Sequence, residues 1–221
     1  MSNPTRTQQR LRITFAKGDE AKYISHLDTM RAWERALRRA GLPIAYSKGY
    51  TPHPKITFGA ALPVGFTSRC EILDVILNEP TSTEIIAQSL RRALPRGLSL
   101  VSVETVDLRL PALQSQMRMA EYHVVIAVQE TAEELQKRLD SLLAAPRLLR
   151  QRRRKGAVRE YDLRPLINDL WIESMEGEEC TLGMRLVTNN KATGRPDEVL
   201  DALGLTESVR SIHRTRLIWE D

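Results

Sequence analysis

The run Leu11-Arg-Ile-Thr-Phe-Ala-Lys17 alternates apolar and polar residues, the period of a strand with one buried face. A helical period follows. Leu27, Met30, Trp33, Leu37 and Ala40 fall on one stripe, and Gly41 then Pro43 end it. Ser25-His-Leu-Asp28 has the form of a capping box at the start of this helix, with Asp in the reciprocal place usually held by Glu or Gln. Short extended pieces at 44–46 and 56–58 flank a turn-rich loop, and 72–77 reads as a buried strand. Thr81-Ser-Thr-Glu84 opens a second helix through Ile85, Ile86, Leu90 and Leu94; Pro95 and Gly97 break it, and a strand follows at 98–103. The order strand–helix–strand–strand–helix–strand is the ferredoxin-like split βαβ arrangement.

The alternation of periods then repeats. A strand is predicted over 122–128 and a helix over 132–143, with Leu135, Leu139 and Leu142 on one face. Strand-like segments at 171–172 and 182–187 precede a short helix at 196–203, with Pro196 in its first turn, and 212–219 alternates as a final strand. The expected fold is therefore α+β: two tandem ferredoxin-like (βαββαβ) units with antiparallel sheets, an N-terminal domain over 1–110 and a C-terminal domain over 111–221. The join lies near Pro111, in a linker reaching to Met119. The second unit carries an insertion at 146–170, where one strand and a tight turn would suffice.

Composition adds bounds. A hydrophobic fraction of 42% and a charged fraction of 28% over 221 residues are those of an ordinary globular chain. No apolar run suits a membrane helix, and the first ten residues lack the apolar core of a signal peptide, so a cytoplasmic protein with no membrane partner is expected. Cys70 and Cys180 stand far apart, in no metal-ligand spacing, and read as core filler.

The net charge of +5 favours a polyanionic partner. Three segments concentrate the candidates. On the first helix Arg31, Arg35, Arg38 and Arg39 oppose the apolar stripe. Pairs Asp28–Arg31 and Glu34–Arg38 would make a solvated face, while the surplus guanidinium charge suits an anion; both readings stand. In the loop, Gly49 permits a conformation other residues avoid, and Pro52 and Pro54 stiffen a backbone that carries Tyr46, Lys48, Tyr50, His53 and Lys55, a mixture of rings and cations able to stack on bases and meet phosphates. The alternative is a rigid turn whose tyrosines pad the sheet edge. The third is Arg150, Arg152, Arg153, Arg154 and Lys155, within a stretch of seven basic residues and no acid over 141–159. A charge block of this kind is usually a solvated loop. Leu148-Leu149 and Tyr161-Asp-Leu-Arg-Pro165 bound it and point to anchored ends, hence an arginine ribbon fit to clamp an RNA backbone.

Catalytic patterns are thin. No Gly-x-Ser-x-Gly, P-loop, dinucleotide-binding glycine set or His-Glu-x-x-His occurs. His26 and His53 are general acid–base candidates for a metal-independent ribonuclease, with no diagnostic spacing. Two distant cysteines do not make the three-thiolate site of a radical SAM enzyme, and no cofactor or metal of its own is expected.

The segment 23–77 also resembles a known family. Tyr23-Ile-Ser-His-Leu-Asp28, Glu34-Arg-Ala36, Arg38-Arg-Ala-Gly41, Tyr46-Ser47, Gly49, Pro52-His-Pro-Lys55, Phe58-Gly59, Leu62-Pro63, Gly65 and Glu71, with Asp162-Leu-Arg-Pro165 in the second half, match the radical SAM-linked domain-of-unknown-function family of bacteria. Tyr50 and Ile72 depart mildly from its pattern. The resemblance implies a protein that works with a cobalamin-binding radical SAM protein; it brings no catalytic residues. The expected function is a non-enzymatic accessory module that binds RNA. The alternatives are the ribonuclease above and a pure protein-binding scaffold.

Overall fold

The computed structural model describes residues 7–154 and 157–219, with the backbone alone of Arg152, Arg153, Arg154 and Ala157. The chain is α+β with antiparallel pairing, and it divides into two units, Met1–Gln116 and Met117–Asp221. The sequence placed the join at 110/111. The first unit keeps the next few residues because Arg10 holds the carbonyls of Leu110 and Pro111, at 2.6 and 2.9 Å.

In the first unit the order is β1 (Gln9–Lys17), α1 (His26–Arg39), β2 (Ile56–Phe58), β3 (Thr67–Leu77), α2 (Thr83–Ala93), β4 (Leu98–Val106) and a short α3 (Leu113–Gln116). β1 pairs with β3 on one side and β4 on the other, and β2 pairs with β3, all antiparallel. The expected strand at 44–46 is reduced to single bridges, Ile44 to Leu77 and Tyr46 to Pro54. The pleat sends Leu11, Ile13 and Phe15 to one face, where they meet Leu73, Val75, Leu77, Trp33, Leu37, Ile86 and Leu90 in the core. Phe15 packs edge-on against Trp33, ring centroids 4.8 Å apart. Leu27, expected in this core, is 63% exposed instead. The buried face is Thr29, Ala32, Trp33, Ala36 and Leu37, and Leu27, two residues before Thr29, lies on nearly the opposite side of the helix.

The opposite face of β1 carries Arg10 and Arg12, both buried. Asp74, directly across from Arg12, accepts from both: Arg10 Nε and Nη2 at 3.0 and 2.6 Å, Arg12 Nε at 3.0 Å. Removing this carboxylate would strand two buried cations. Asp74→Ala should therefore cost about 3–5 kcal/mol, the range for breaking a buried ion pair from one side. It should appear as a lower urea midpoint with an unchanged slope; a midpoint equal to wild type would show that the triad carries no such weight.

The second unit runs β5 (Met117–Ala127), α4 (Ala132–Ala144), β6 (Leu149–Arg154), β7 (Ala157–Asp162), β8 (Ile167–Glu176), β9 (Glu179–Val187), α5 (Pro196–Ala202) and β10 (Val209–Trp219). Its sheet order is β10-β5-β9-β8, again antiparallel, while β6 and β7, among the described residues, pair only with each other. A capping box of Thr131 and Glu134 starts α4. Leu135, Leu139 and Leu142 are buried on α4, as the period predicts, and Tyr122, Val124, Ile126, Leu182 and Met184 fill the buried sheet positions. No described helix is long and apolar enough to cross a membrane.

On the other face of this sheet the Trp171 indole lies on Gly183, its direct cross-strand neighbour. A Cβ at position 183 would come within 1.9 Å of the indole Cε2. Gly183→Ala should destabilise the unit by about 1–3 kcal/mol through this overlap. The penalty should largely vanish in a Trp171→Ala background. An equal penalty in both backgrounds, read from thermal melts, would place the cost elsewhere.

Candidate nucleic-acid interface

The start of α1 is held by polar anchors. Ser25 caps it, its side chain accepting from the Asp28 N–H at 3.1 Å. The reciprocal half differs from a full capping box: the Asp28 carboxylate accepts from the Ser25 hydroxyl at 2.7 Å. That hydrogen bond holds the Asp28 carboxyl below the usual carboxylate range. Beneath the cap, the buried Lys17 ammonium donates to the carbonyls of Ile24 and Lys22, at 3.0 and 3.4 Å. The Gly65 N–H also reaches the Lys22 carbonyl, at 2.8 Å. Tyr23, Leu27 and Val64, which lie in or next to the segments these bonds tie, are each more than half exposed. His26 packs edge-on to Phe58, centroids 5.4 Å apart.

The four arginines of α1 are not equivalent. Arg31 pairs with Asp28 at 3.3 Å and Arg38 with Glu34 at 3.9 Å, the two pairs expected of a solvated face. Arg39 turns away and donates to the Ala93 carbonyl at 2.5 Å, so it closes the C-terminal end of α2. Arg35 is exposed and is the one of the four with no polar partner among the described residues.

The loop between α1 and β2 is closed at its neck. The Ser47 N–H donates to the His53 carbonyl at 2.8 Å, the His53 N–H to Ser47 Oγ at 2.9 Å, and the Lys55 N–H to the Ala45 carbonyl at 2.8 Å. Gly49 takes φ 154° at the tip. Lys48, Tyr50, His53 and Lys55 are exposed, Tyr50 completely, and Tyr46 is 41% exposed at the neck. The tyrosines do not pad a sheet edge; the backbone holds rings and cations out to solvent.

The basic run of the second unit is a hairpin. β6 and β7 pair from Leu149–Asp162 to Arg154–Ala157. Its base is fixed by the segment Asp162-Leu-Arg-Pro165. Asp162 Oδ1 accepts from the Leu148 and Arg164 N–H groups at 2.8 and 3.0 Å, which lowers its pKa. The Leu163 N–H donates to the Leu148 carbonyl at 2.8 Å. Arg164 spans from the Leu143 carbonyl, near the end of α4, to the Ile167 carbonyl, at 2.8 and 2.7 Å. Arg150 forms an ion pair with Asp201 of α5. Lys155 lies outside the described residues.

Asp162 supplies a pH test. Its folded pKa is lowered, so its stabilising bonds are fully present above the unfolded value of about 3.9 and are lost as pH falls through the lower folded value. Amide exchange at Leu148 and Arg164 should accelerate in that acid range. Asp162→Ala should show the same acceleration at neutral pH, and Asp162→Asn, which keeps an acceptor oxygen, should not. Full protection in the alanine variant would mean the anchor is elsewhere.

Sequence reasoning did not find the exposure of Tyr23, Leu27 and Val64 or the capture of Arg39 and Arg150. The second depends on acceptors 51 or more positions away. Among the described residues no group of three or more His, Cys, Asp or Glu side chains is placed to hold a metal ion.

With this geometry in view, the chain belongs to a bacterial family described as uncharacterized protein conserved in bacteria (DUF2344), whose model matches residues 10–196. No curated protein matches. Similar solved structures include chains of the archaeal box H/ACA sRNP Nop10-Cbf5 complex (11% identity, TM-score 0.45, 94% of this chain and 49% of that one) and of a Cbf5-Nop10-Gar1 complex (12%, 0.45, 94% and 50%). The acetolactate synthase small subunit of Thermotoga maritima is another (14%, 0.27, 97% and 99%). The chain spans about half the length of the first two, and at these scores the likenesses carry no argument about function.

Proposed function

We propose that this chain is a non-enzymatic accessory module of a cobalamin-binding radical SAM protein, built of two ferredoxin-like units, which binds RNA through its basic surface segments. The observation that carries the RNA reading is the hairpin. A basic run that could have been a solvated loop is paired along both strands and fixed at its base by Asp162 and Arg164. The loop 46–55 supports it, since a closed neck presents Tyr50, His53, Lys48 and Lys55 to solvent. Strand orders β4-β1-β3-β2 and β10-β5-β9-β8 support the ferredoxin-like reading of each unit. The exposure of Tyr23, Leu27 and Val64, in or beside segments tied to one another through Lys22, supports a protein partner. With two cysteines, one of them buried, the chain leaves cluster chemistry to that partner.

The test is a fluorescence titration against tRNA and rRNA fragments at several salt concentrations, with a pulldown from the native bacterium. Each phosphate contact releases counterions, so affinity should fall steeply with salt. Changing Arg152, Arg153 and Arg154 together to alanine should flatten that dependence and leave the melting temperature nearly unchanged. Replacing Tyr50 or His53 should weaken binding with little change in salt slope, as stacking does. Absence of binding at low salt would overturn the RNA reading and leave the scaffold; a pulldown without a radical SAM protein would remove the partner.

A further inference from the structure

Trp171 lies flat on the sheet of the second unit. It pairs with Gly183 of β9, Gly183 with His123 of β5, and His123 with His213 of β10, a row that crosses all four strands. Directly paired residues share a face, and this face is turned away from the buried Tyr122, Val124, Leu182 and Met184. A Cβ on Gly183 would stand 1.9 Å from indole Cε2 and 2.3 Å from both Nε1 and Cζ2, the ring atoms bonded to it. Distances so nearly equal mean that the Cα–Cβ direction strikes the ring face-on; a direction in the ring plane would leave Nε1 and Cζ2 much further off. The inner face of the indole is therefore spent on the glycine, and the outer face is turned away from the sheet. The residue is half-buried, as one covered face requires.

The charged groups around the ring differ in what they have left to offer. Arg185 stands beside it, its guanidinium carbon 5.7 Å from the ring centroid, and is taken up by Glu121 at 2.8 Å and Asp169 at 3.8 Å. Glu173 accepts from the indole N–H through Oε2 at 2.6 Å, and His123 Nε2 lies 4.0 Å from the same oxygen. Glu173 is exposed, and no described residue donates to its Oε1. We propose that the outer face of Trp171 stacks an unpaired RNA base, and that Glu173 Oε1 accepts from the amino group on that base's edge. A ring whose cation is already supplied by Arg185 favours a neutral planar ligand over a further cation. A carboxylate beside it repels phosphate and accepts from an amine. Adenine, cytosine and guanine carry that amine, and uracil does not. The inference rests on the RNA reading above. To basic segments that meet a backbone it adds a site that reads a base.

The test titrates the full chain against short labelled oligoadenylate, oligocytidylate and oligouridylate at several salt concentrations. Trp171→Leu should bind oligoadenylate about tenfold more weakly, the size of effect that stacking on one aromatic side chain gives. The log–log salt slope should stay that of wild type, because no phosphate contact is removed. Trp171→Phe keeps a ring and should stay within about threefold of wild type, which separates lost stacking from lost folding. In Glu173→Gln the single amide oxygen is taken by the indole and an NH2 group meets the base, so the preference for oligoadenylate and oligocytidylate over oligouridylate should disappear. Wild-type affinity in Trp171→Leu would overturn the platform and leave the RNA reading intact; no RNA binding by the wild-type chain would overturn both. Adenosine monophosphate bound as tightly as oligoadenylate would assign the ring to a free nucleotide. Binding of a lysine-rich peptide that is lost in Trp171→Leu would assign it to a basic protein segment. Either result overturns the RNA base as its ligand.

Discussion

One carboxylate organises the sheet of the first unit. Asp74 receives both Arg10 and Arg12, and none of the three is more than 8% exposed. Two buried guanidiniums on one acid leave donors to satisfy, and Arg10 meets this by reaching the carbonyls of Leu110 and Pro111. A buried cation without acceptors costs several kcal/mol. The need to satisfy Arg10 therefore fixes the path of the chain after β4, and with it the boundary of the unit. The opposite face of the same strand is free to hold Leu11, Ile13 and Phe15 in a purely apolar core.

The surface features depend on a different principle. A loop whose rings and cations point outward gains nothing from burial, so its shape has to come from directed bonds. Ser47 and His53 close the loop 46–55, Lys17 ties down Lys22 and Ile24 before α1, and Asp162 with Arg164 fixes the hairpin base. Several of these anchors belong to the sequence segments that define the family resemblance. The motif Asp162-Leu-Arg-Pro165 in particular carries the geometry of its neighbours: its own aspartate is spent on two backbone N–H groups, and its arginine on two carbonyls.

Most of the elements were legible because they obey one period each. The alternation of β1 and the stripe on α4 place the right residues inside. The stripe on α1 misplaced Leu27, since the stripe is wide and the face that is buried centres on Thr29, Ala32, Trp33 and Ala36, nearly opposite Leu27. The hairpin was harder. Its strands are polar on both faces, so no hydrophobic alternation announces them, and only its apolar borders were visible. Arg39 and Arg150 looked available because their acceptors, the Ala93 carbonyl and Asp201, are 54 and 51 residues along the chain. Asp74 falls within the strand expected at 72–77, but its pairing with Arg10 and Arg12 follows only once β1 and β3 are placed side by side.

Period also decides which charges meet an acid on their own element. On α1 the helical turn brings Asp28 to Arg31 and Glu34 to Arg38, so acids interspersed in the sequence neutralise the arginines around them. On the hairpin the period of two does the opposite. Glu160 adjoins Arg159 in sequence, yet the register sets it across from Gln151 and on the opposite face from Arg159. Arg150 is met instead by an acid from another element, Asp201. Net charge counts these arginines alike, while the backbone period and the fold decide which of them share a face with an acid.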